Sequence, residues 1–189
     1  MEEDPSRSTV NSIALVPVGE FPASLLADLC AGLSAVFGVP CELRRQGFDP
    51  VGAYNAERDQ YSSTQLLAKV CESAGPSAWR VLGVTSLDLY IPILTFVFGE
   101  AQLDGACALV STHRLRQEFY GLPGDPGTLR ERLLKEAAHE LGHTLGLPHC
   151  EDYACVMASS HTVEWIDLKT SQFCAECRAR IAASACRMP

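Results

Sequence analysis

Three histidines and a glutamate form the densest group of chemically competent side chains in the sequence. They are His139, Glu140, His143 and His149, and together with Gly146 they lie in the stretch HELGHTLGLPH. Histidines four residues apart on a helix have Cβ atoms about 5–6 Å apart, so both imidazoles can bind one ion. The glycine can end the helix in a left-handed conformation and return the chain, with the third histidine, to that ion. The spacing therefore predicts a zinc site with three protein ligands.

Three ligands leave a fourth position for water, which is typical of catalytic rather than structural zinc. Glu140 follows the first ligand, so its carboxylate can accept a proton from a zinc-activated water as that water attacks a carbonyl. The predicted chemistry is metal-assisted hydrolysis of an amide bond. The alternative is a chance arrangement of surface histidines. At ordinary residue frequencies the five positions would recur in a chain of this size with a probability on the order of 1 in 10⁵, so we favour zinc.

Four of the nine cysteines form a second cluster, with the spacing C-x4-C, an 18-residue spacer and C-x2-C. The four are Cys150, Cys155, Cys174 and Cys177. Four thiolates suit a closed tetrahedral zinc site, which leaves no open position and is therefore structural. Such an ion would clip a helical segment, at about 173–185, onto the loop that follows the third histidine. Free buried thiols and disulfides are the alternatives.

The other five cysteines are scattered among apolar or unremarkable residues: Cys30, Cys41, Cys71, Cys107 and Cys186. The N-terminus is acidic and interrupted by proline, unlike a secretory signal, and no apolar run is long enough to span a membrane. We therefore expect a cytoplasmic protein, in which these cysteines act as small buried hydrophobic residues rather than as disulfides.

The elements that must position these residues alternate between strands and helices. Apolar runs predict strands at SIALVPVG, PCELRRQ and WRVLGVTSLDLYIP, and helical spacing predicts helices at PASLLADLCAGLSAVFG and SSTQLLAKVCESAG. The runs TFVFG and ACALVST flank an Asp104-Gly105 turn signal and predict an antiparallel hairpin. The polar segment from Gly47 to Tyr61 has no pattern and is expected to be a long loop. This order indicates an α/β fold with a mixed sheet and an antiparallel edge.

A long helix carries the first two histidines. Thr128 and Glu131 have the spacing of a capping box, and helical periodicity continues from Leu129 to about Gly146. One face of this helix is apolar and should pack on the sheet, through Leu134, Ala138, Leu141 and Leu145. The histidines fall on the opposite side, so we expect them to face away from the core.

The combined pattern resembles the archaemetzincins, a branch of the metzincin zinc metallopeptidases. It runs from the histidine motif through Cys150 and Cys155 to Met157, and then to Cys174 and Cys177. Met157 is the candidate for the methionine turn of that clan. Sixteen residues separate Met157 from Cys174. About one more would be expected, a difference that a loop can absorb.

The resemblance implies a metzincin-like fold: a mixed, mostly parallel twisted sheet, a long active-site helix and a small C-terminal zinc-clipped subdomain. It implies two Zn²⁺ ions, one catalytic on the histidines and one structural on the cysteines. We expect one domain, 1–189, with subdomains 1–146 and 147–189. By the same resemblance, Thr95–Phe98 would be the sheet edge over the cleft, where an extended peptide could add as a strand. Ser159 stands two residues after Met157, so no tyrosine ligand is expected there.

These features predict a zinc metallopeptidase that acts on peptides or unfolded polypeptides, with aminopeptidase and endopeptidase cleavage both open. The alternative is a zinc-stabilised peptide-binding or regulatory protein with little turnover. The net charge of −8 argues against a nucleic-acid partner for the cysteine cluster. We expect a monomer without a membrane partner.

Overall fold

The computed structural model describes residues 12–44, 47–73 and 78–185. Its α-helices are α1 (Ala23–Phe37), α2 (Ser63–Glu72), α3 (Pro126–Thr144), α4 (Val163–Leu168) and α5 (Ala175–Ala185). Its strands are β1 (Ile13–Val18), β2 (Cys41–Leu43), β3 (Tyr54–Asn55), β4 (Gln60–Ser62), β5 (Arg80–Thr85), β6 (Leu89–Tyr90), β7 (Gly99–Ala101) and β8 (Cys107–Ser111). None of the helices in these ranges is both long enough and apolar enough to cross a membrane.

The main sheet has five strands in the order β2-β1-β5-β8-β7, and only β7 runs antiparallel to its neighbour. The central strands read as continuous apolar runs because helices cover both faces. Ile13 and Leu15 face the layer of α1 and α3, whereas Ala14 and Val16 face α2. The predicted α/β class, with a mostly parallel sheet and an antiparallel edge strand, is confirmed.

Two predictions about individual elements are wrong: the loop at 47–61 and the start of the long helix. The segment predicted as a loop, 47–61, contains β3 and most of β4, which pair with each other and, through β4, with β6. These strands are too short to show alternation in the sequence, and tertiary contacts hold them: the Tyr61 amide donates to the Asp88 carbonyl. The long helix α3 begins before the predicted capping box. Asp125 is its N-cap, and its carboxylate accepts from the amides of Gly127 and Thr128.

The expectation for the scattered cysteines is also wrong in part. Cys71 of α2 and Cys107 of β8 are joined by a disulfide, with their Cα atoms 5.6 Å apart. The reason is that α2 packs directly over β8, which the sequence spacing of the two residues does not reveal. Cys30 and Cys41 have free, half-buried thiols, and Cys186 lies outside the described residues.

Candidate metal centre and active-site cleft

The side of helix α3 that carries the histidines is largely covered by the rest of the chain. His139 and Glu140 are buried, and so are Arg132 and Glu136 on the same side. The expectation that this side faces away from the core is therefore wrong: the segment after the helix folds back over it. Arg132, for example, forms a bidentate ion pair with Asp167 of α4.

The three histidines converge. The Nε2 atoms of His139 and His143 lie 3.1 Å apart, close to the separation of two nitrogens that share one ion at about 2.0–2.1 Å. The helix ends at a turn in which Gly146 has φ 80°, a left-handed conformation that glycine adopts without strain. This turn returns His149, whose ring centroid lies 5.2 Å from that of His139 and 5.0 Å from that of His143. One ring nitrogen of each histidine lies within 4.8 Å of the others.

Backbone carbonyls orient the first two rings. Nδ1 of His139 lies 2.9 Å from the Val156 carbonyl, and Nδ1 of His143 lies 2.7 Å from the Leu147 carbonyl. A carbonyl only accepts, so each Nδ1 carries the proton and each Nε2 keeps a free lone pair. Burial, followed by nearby Lys169 and His143, holds the pKa of His139 well below its ordinary value. The rings are therefore neutral near pH 7, the state that binds a metal.

Glu140 stands beside this group in a nearly closed environment. Burial, reinforced by Glu136, raises its pKa well above the ordinary value, and Lys169 offsets part of the rise. Strand β7 presses against the carboxylate: a Cβ atom added at Gly99 would lie 2.7 Å from both Cγ and Oε1 of Glu140. Glycine is thus the residue that lets the edge strand approach this carboxylate.

A cleft of about 460 Å³ opens over these groups. Residues 94–101 form one wall, the histidines and Glu140 form the floor, and Ser159–His161 form the opposite wall. Strand β7 pairs with β8 on one side and has no partner strand on its other side among the described residues. The cleft therefore runs along a free sheet edge.

The edge strand begins directly after its predicted position, at Gly99 rather than at Thr95. Thr95–Phe98 is not a strand and is bonded on both sides: the Val97 amide donates to the Leu89 carbonyl, and the Phe98 carbonyl accepts from the Ser111 amide. That expectation is wrong. The hairpin turn keeps its predicted place, and the Asp104 amide donates to the His143 carbonyl at the end of α3.

Met157 packs against the helix that carries the first two histidines. It is fully buried, and its sulfur packs against Gly142 of α3, where any side chain would collide with it. The Cys150 amide donates to the Met157 carbonyl, which ties the turn to the residue that follows His149. This is the position expected of the methionine turn.

The four clustered cysteines also meet. Sγ of Cys150 lies 3.8 Å from Sγ of Cys174, and Sγ of Cys155 lies 3.8 Å from Sγ of Cys177. Thiolates at about 2.3 Å from a tetrahedral zinc ion have this mutual spacing. Cys174 lies directly before α5, and its sulfur accepts from the Cys177 amide. The donor set fits a zinc ion.

Three residues of the site were not predicted as functional. Glu136 and Lys169 form a buried ion pair next to His139. Gly99 has no side chain and so leaves space for the Glu140 carboxylate. The motif contains none of them. The one signal in the sequence is that Glu136 falls on the histidine side of α3.

Comparison with known proteins agrees with this geometry. The model of peptidase family M54 matches residues 47–183. An archaemetzincin from Methanocaldococcus jannaschii is 44% identical over 169 residues, which cover 89% of this chain and 92% of the relative.

Two solved structures are also similar. The archaemetzincin of Methanopyrus kandleri has a TM-score of 0.83 at 37% identity, covering 96% of this chain and 98% of its own. A zinc-dependent peptidase from Methanocorpusculum labreanum has a TM-score of 0.83 at 32% identity, covering 89% and 99%. Since the family model spans most of the chain and these relatives match nearly their whole length, the chain belongs to peptidase family M54, the archaemetzincins, and is a zinc metallopeptidase.

Proposed function

We propose that His139, His143 and His149 hold the catalytic zinc ion and that Glu140 is the general base of peptide hydrolysis. The observation that carries the proposal is the pair of facing Nε2 atoms, 3.1 Å apart, on the floor of a cleft that also contains the Glu140 carboxylate. When bound, zinc supplies a Lewis acid that lowers the pKa of a water towards ~7 and polarises the substrate carbonyl.

Residues of the protein transfer the proton, orient the imidazoles and bind the substrate. Glu140 accepts the proton of the attacking water and passes it to the leaving amine. The carbonyls of Val156 and Leu147 keep the first two imidazoles in the metal-binding tautomer. The free edge of β7 can pair with an extended peptide through backbone hydrogen bonds, which do not depend on the peptide's sequence.

The second zinc belongs to Cys150, Cys155, Cys174 and Cys177 and is structural in this proposal. Support comes from the sulfur spacing and from the closed donor set, which leaves no position for substrate. The chain would act as one domain and as a monomer on short or unfolded polypeptides. Its acidic balance supports the absence of a nucleic-acid partner.

The test is a diverse peptide library incubated with zinc-verified protein and analysed by mass spectrometry. We expect cleavage by the wild type, no cleavage by Glu140→Ala, and unchanged cleavage by Glu131→Ala, which removes an exposed glutamate from the same helix. The positions of the cuts distinguish aminopeptidase from endopeptidase. Equal activity of Glu140→Ala would refute the role of Glu140. Two bound zinc ions without cleavage by any variant would favour the peptide-binding alternative.

A further inference from the structure

Lys169 is the largest fully buried side chain in the described part of the chain. Its Nζ lies 2.8 Å from Oε1 of Glu136, 3.2 Å from the Ala158 carbonyl and 3.5 Å from Nδ1 of His139. Burying an ammonium group is costly unless it is paired. Here an ion pair and a carbonyl of the methionine-turn segment compensate it, immediately behind a metal ligand.

Neither ligation nor direct catalysis explains this position. Lys169 approaches His139 from the Nδ1 side, whereas the metal-facing Nε2 points towards His143. The lysine does not line the cleft, although its partner Glu136 does. It therefore lies on the far side of the imidazole from any substrate and can act only through other residues.

The chain that follows Lys169 runs beside the segment that orients His139. The Thr170 amide donates to the Ala154 carbonyl, and the Val156 amide donates to the Gln172 carbonyl. Val156 in turn offers its own carbonyl to Nδ1 of His139. The segment 154–158 is thus bonded along its length to 169–172, which continues into Cys174.

One ion pair joins the segment 169–172 to helix α3. Lys169 donates to Ala158 and reaches Glu136, which lies almost one turn before His139 on α3. The lysine therefore fixes the distance between the Val156 carbonyl and the helix that carries the imidazole. An apolar residue of the same length could fill the space but could hold neither partner.

We propose that Lys169 is a positioning residue for the histidine metal site, which fastens the methionine-turn segment to α3 so that the Val156 carbonyl holds His139 in its metal-binding orientation. This inference rests on the proposed zinc site. The outer partners of metal-binding histidines typically contribute 10–100-fold to metal affinity, roughly the effect expected here.

The test measures metal affinity at each site separately in the full chain. Cobalt(II) replaces zinc, because the charge-transfer absorption of cobalt thiolate reports the cysteine site apart from the histidine site, and a chelator series gives both affinities. We expect Lys169→Met to weaken cobalt binding at the histidine site by roughly 10–100-fold and to leave the cysteine site unchanged. Lys135→Met is the matched control, since Lys135 also bonds backbone carbonyls of the C-terminal segment but contacts no ligand.

A double variant distinguishes a positioning role of Lys169 from a role limited to neutralising the buried charge of Glu136. Glu136→Gln with Lys169→Met leaves no unpaired carboxylate, which also protects the test if the single variant fails to fold. The proposal requires the double variant to stay weakened at the histidine site. Recovery to within twofold of the wild type, or an unchanged affinity in Lys169→Met, overturns it. A wild type that binds no cobalt at the histidines would instead refute the proposed function.

Discussion

At the scale of single residues, the site depends on which atom of each histidine carries a proton. Two imidazoles have Nδ1 bonded to a carbonyl, and burial lowers the pKa of all three rings. A neutral ring with a free Nε2 is a ligand ready for a divalent ion. The two carbonyls therefore hold the rings of His139 and His143 in the tautomer that can bind a metal.

Removing one of these ligands should affect one metal site only. We expect His143→Ala to lower the zinc content from about two ions per chain to about one and to abolish cleavage, since two ligands hold zinc far more weakly than three. Elemental analysis after dialysis measures this. His113→Ala is the control, because His113 lies outside the cleft and bonds the Ser86 carbonyl. Two zinc ions retained by His143→Ala would exclude His143 as a ligand.

The residue types and spacing of the motif made the convergence of the histidines predictable, because helical spacing alone brings residues 139 and 143 together. Lys169 was not predictable. It is 30 residues from His139 in sequence, and an isolated lysine is ordinarily exposed. Only the return of the chain over α3 buries it.

At the scale of elements, β7 lies close against α3 in the site. Gly99→Ala would place its new methyl group 2.7 Å from Glu140 Oε1 and 2.5 Å from the Leu109 carbonyl. We expect kcat/KM to fall by roughly 10²-fold, since a displacement of about 1 Å in a catalytic group has that effect. Zinc content should not change.

Peptide cleavage rates and elemental analysis of the same samples check this prediction. Gly52→Ala is the control, because its methyl group would meet only the flexible end of Lys69. Wild-type activity in Gly99→Ala would show that the edge strand does not constrain Glu140.

The packing of the methionine turn under α3 gives a prediction for stability. Gly142→Ala would force a methyl group into Met157 and towards Phe173. Overpacking of this kind costs about 1–3 kcal/mol. The free energy of unfolding from a denaturant titration should fall by that amount, with the slope unchanged. An equal or higher stability would mean that the turn repacks freely around the helix.

Elements were predictable where burial dictates composition. Strands β1, β5 and β8 read as apolar runs because helices cover both of their faces. The hairpin of β3 and β4 and the short helix α4 were not predicted. Their pairing and packing depend on distant residues, such as Asp88 for β4 and Arg132 for α4.

At the scale of the whole molecule, the four cysteines join the end of the chain to the segment behind the active site. Cys155 lies next to Val156, which orients His139, and Cys174 leads into α5. A metal ion among these sulfurs would staple α5 to the methionine-turn region. The family resemblance predicted this link, but the position of Cys155 beside the residue that orients His139 is visible only in the structure.

Cys174→Ser should therefore lower thermal stability and zinc content together. If the ion contributes roughly 3 kcal/mol, Tm should fall by about 6–12 °C, because each kcal/mol shifts Tm by about 2–4 °C in a protein of this size. Calorimetry with elemental analysis measures both quantities. Cys30→Ser, at a free thiol that does not belong to the cluster, should change neither. An unchanged Tm with one zinc ion lost would show that the site is not structural.

The central claim is that the chain holds two zinc ions of different kinds. Anomalous diffraction at the zinc edge, from crystals of the protein purified without chelator, tests it most directly. The account predicts two peaks per chain, one within bonding distance of the imidazoles of His139, His143 and His149, and one among the four clustered sulfurs. A single peak at the cysteines, with none at the histidines of zinc-saturated crystals, would contradict it.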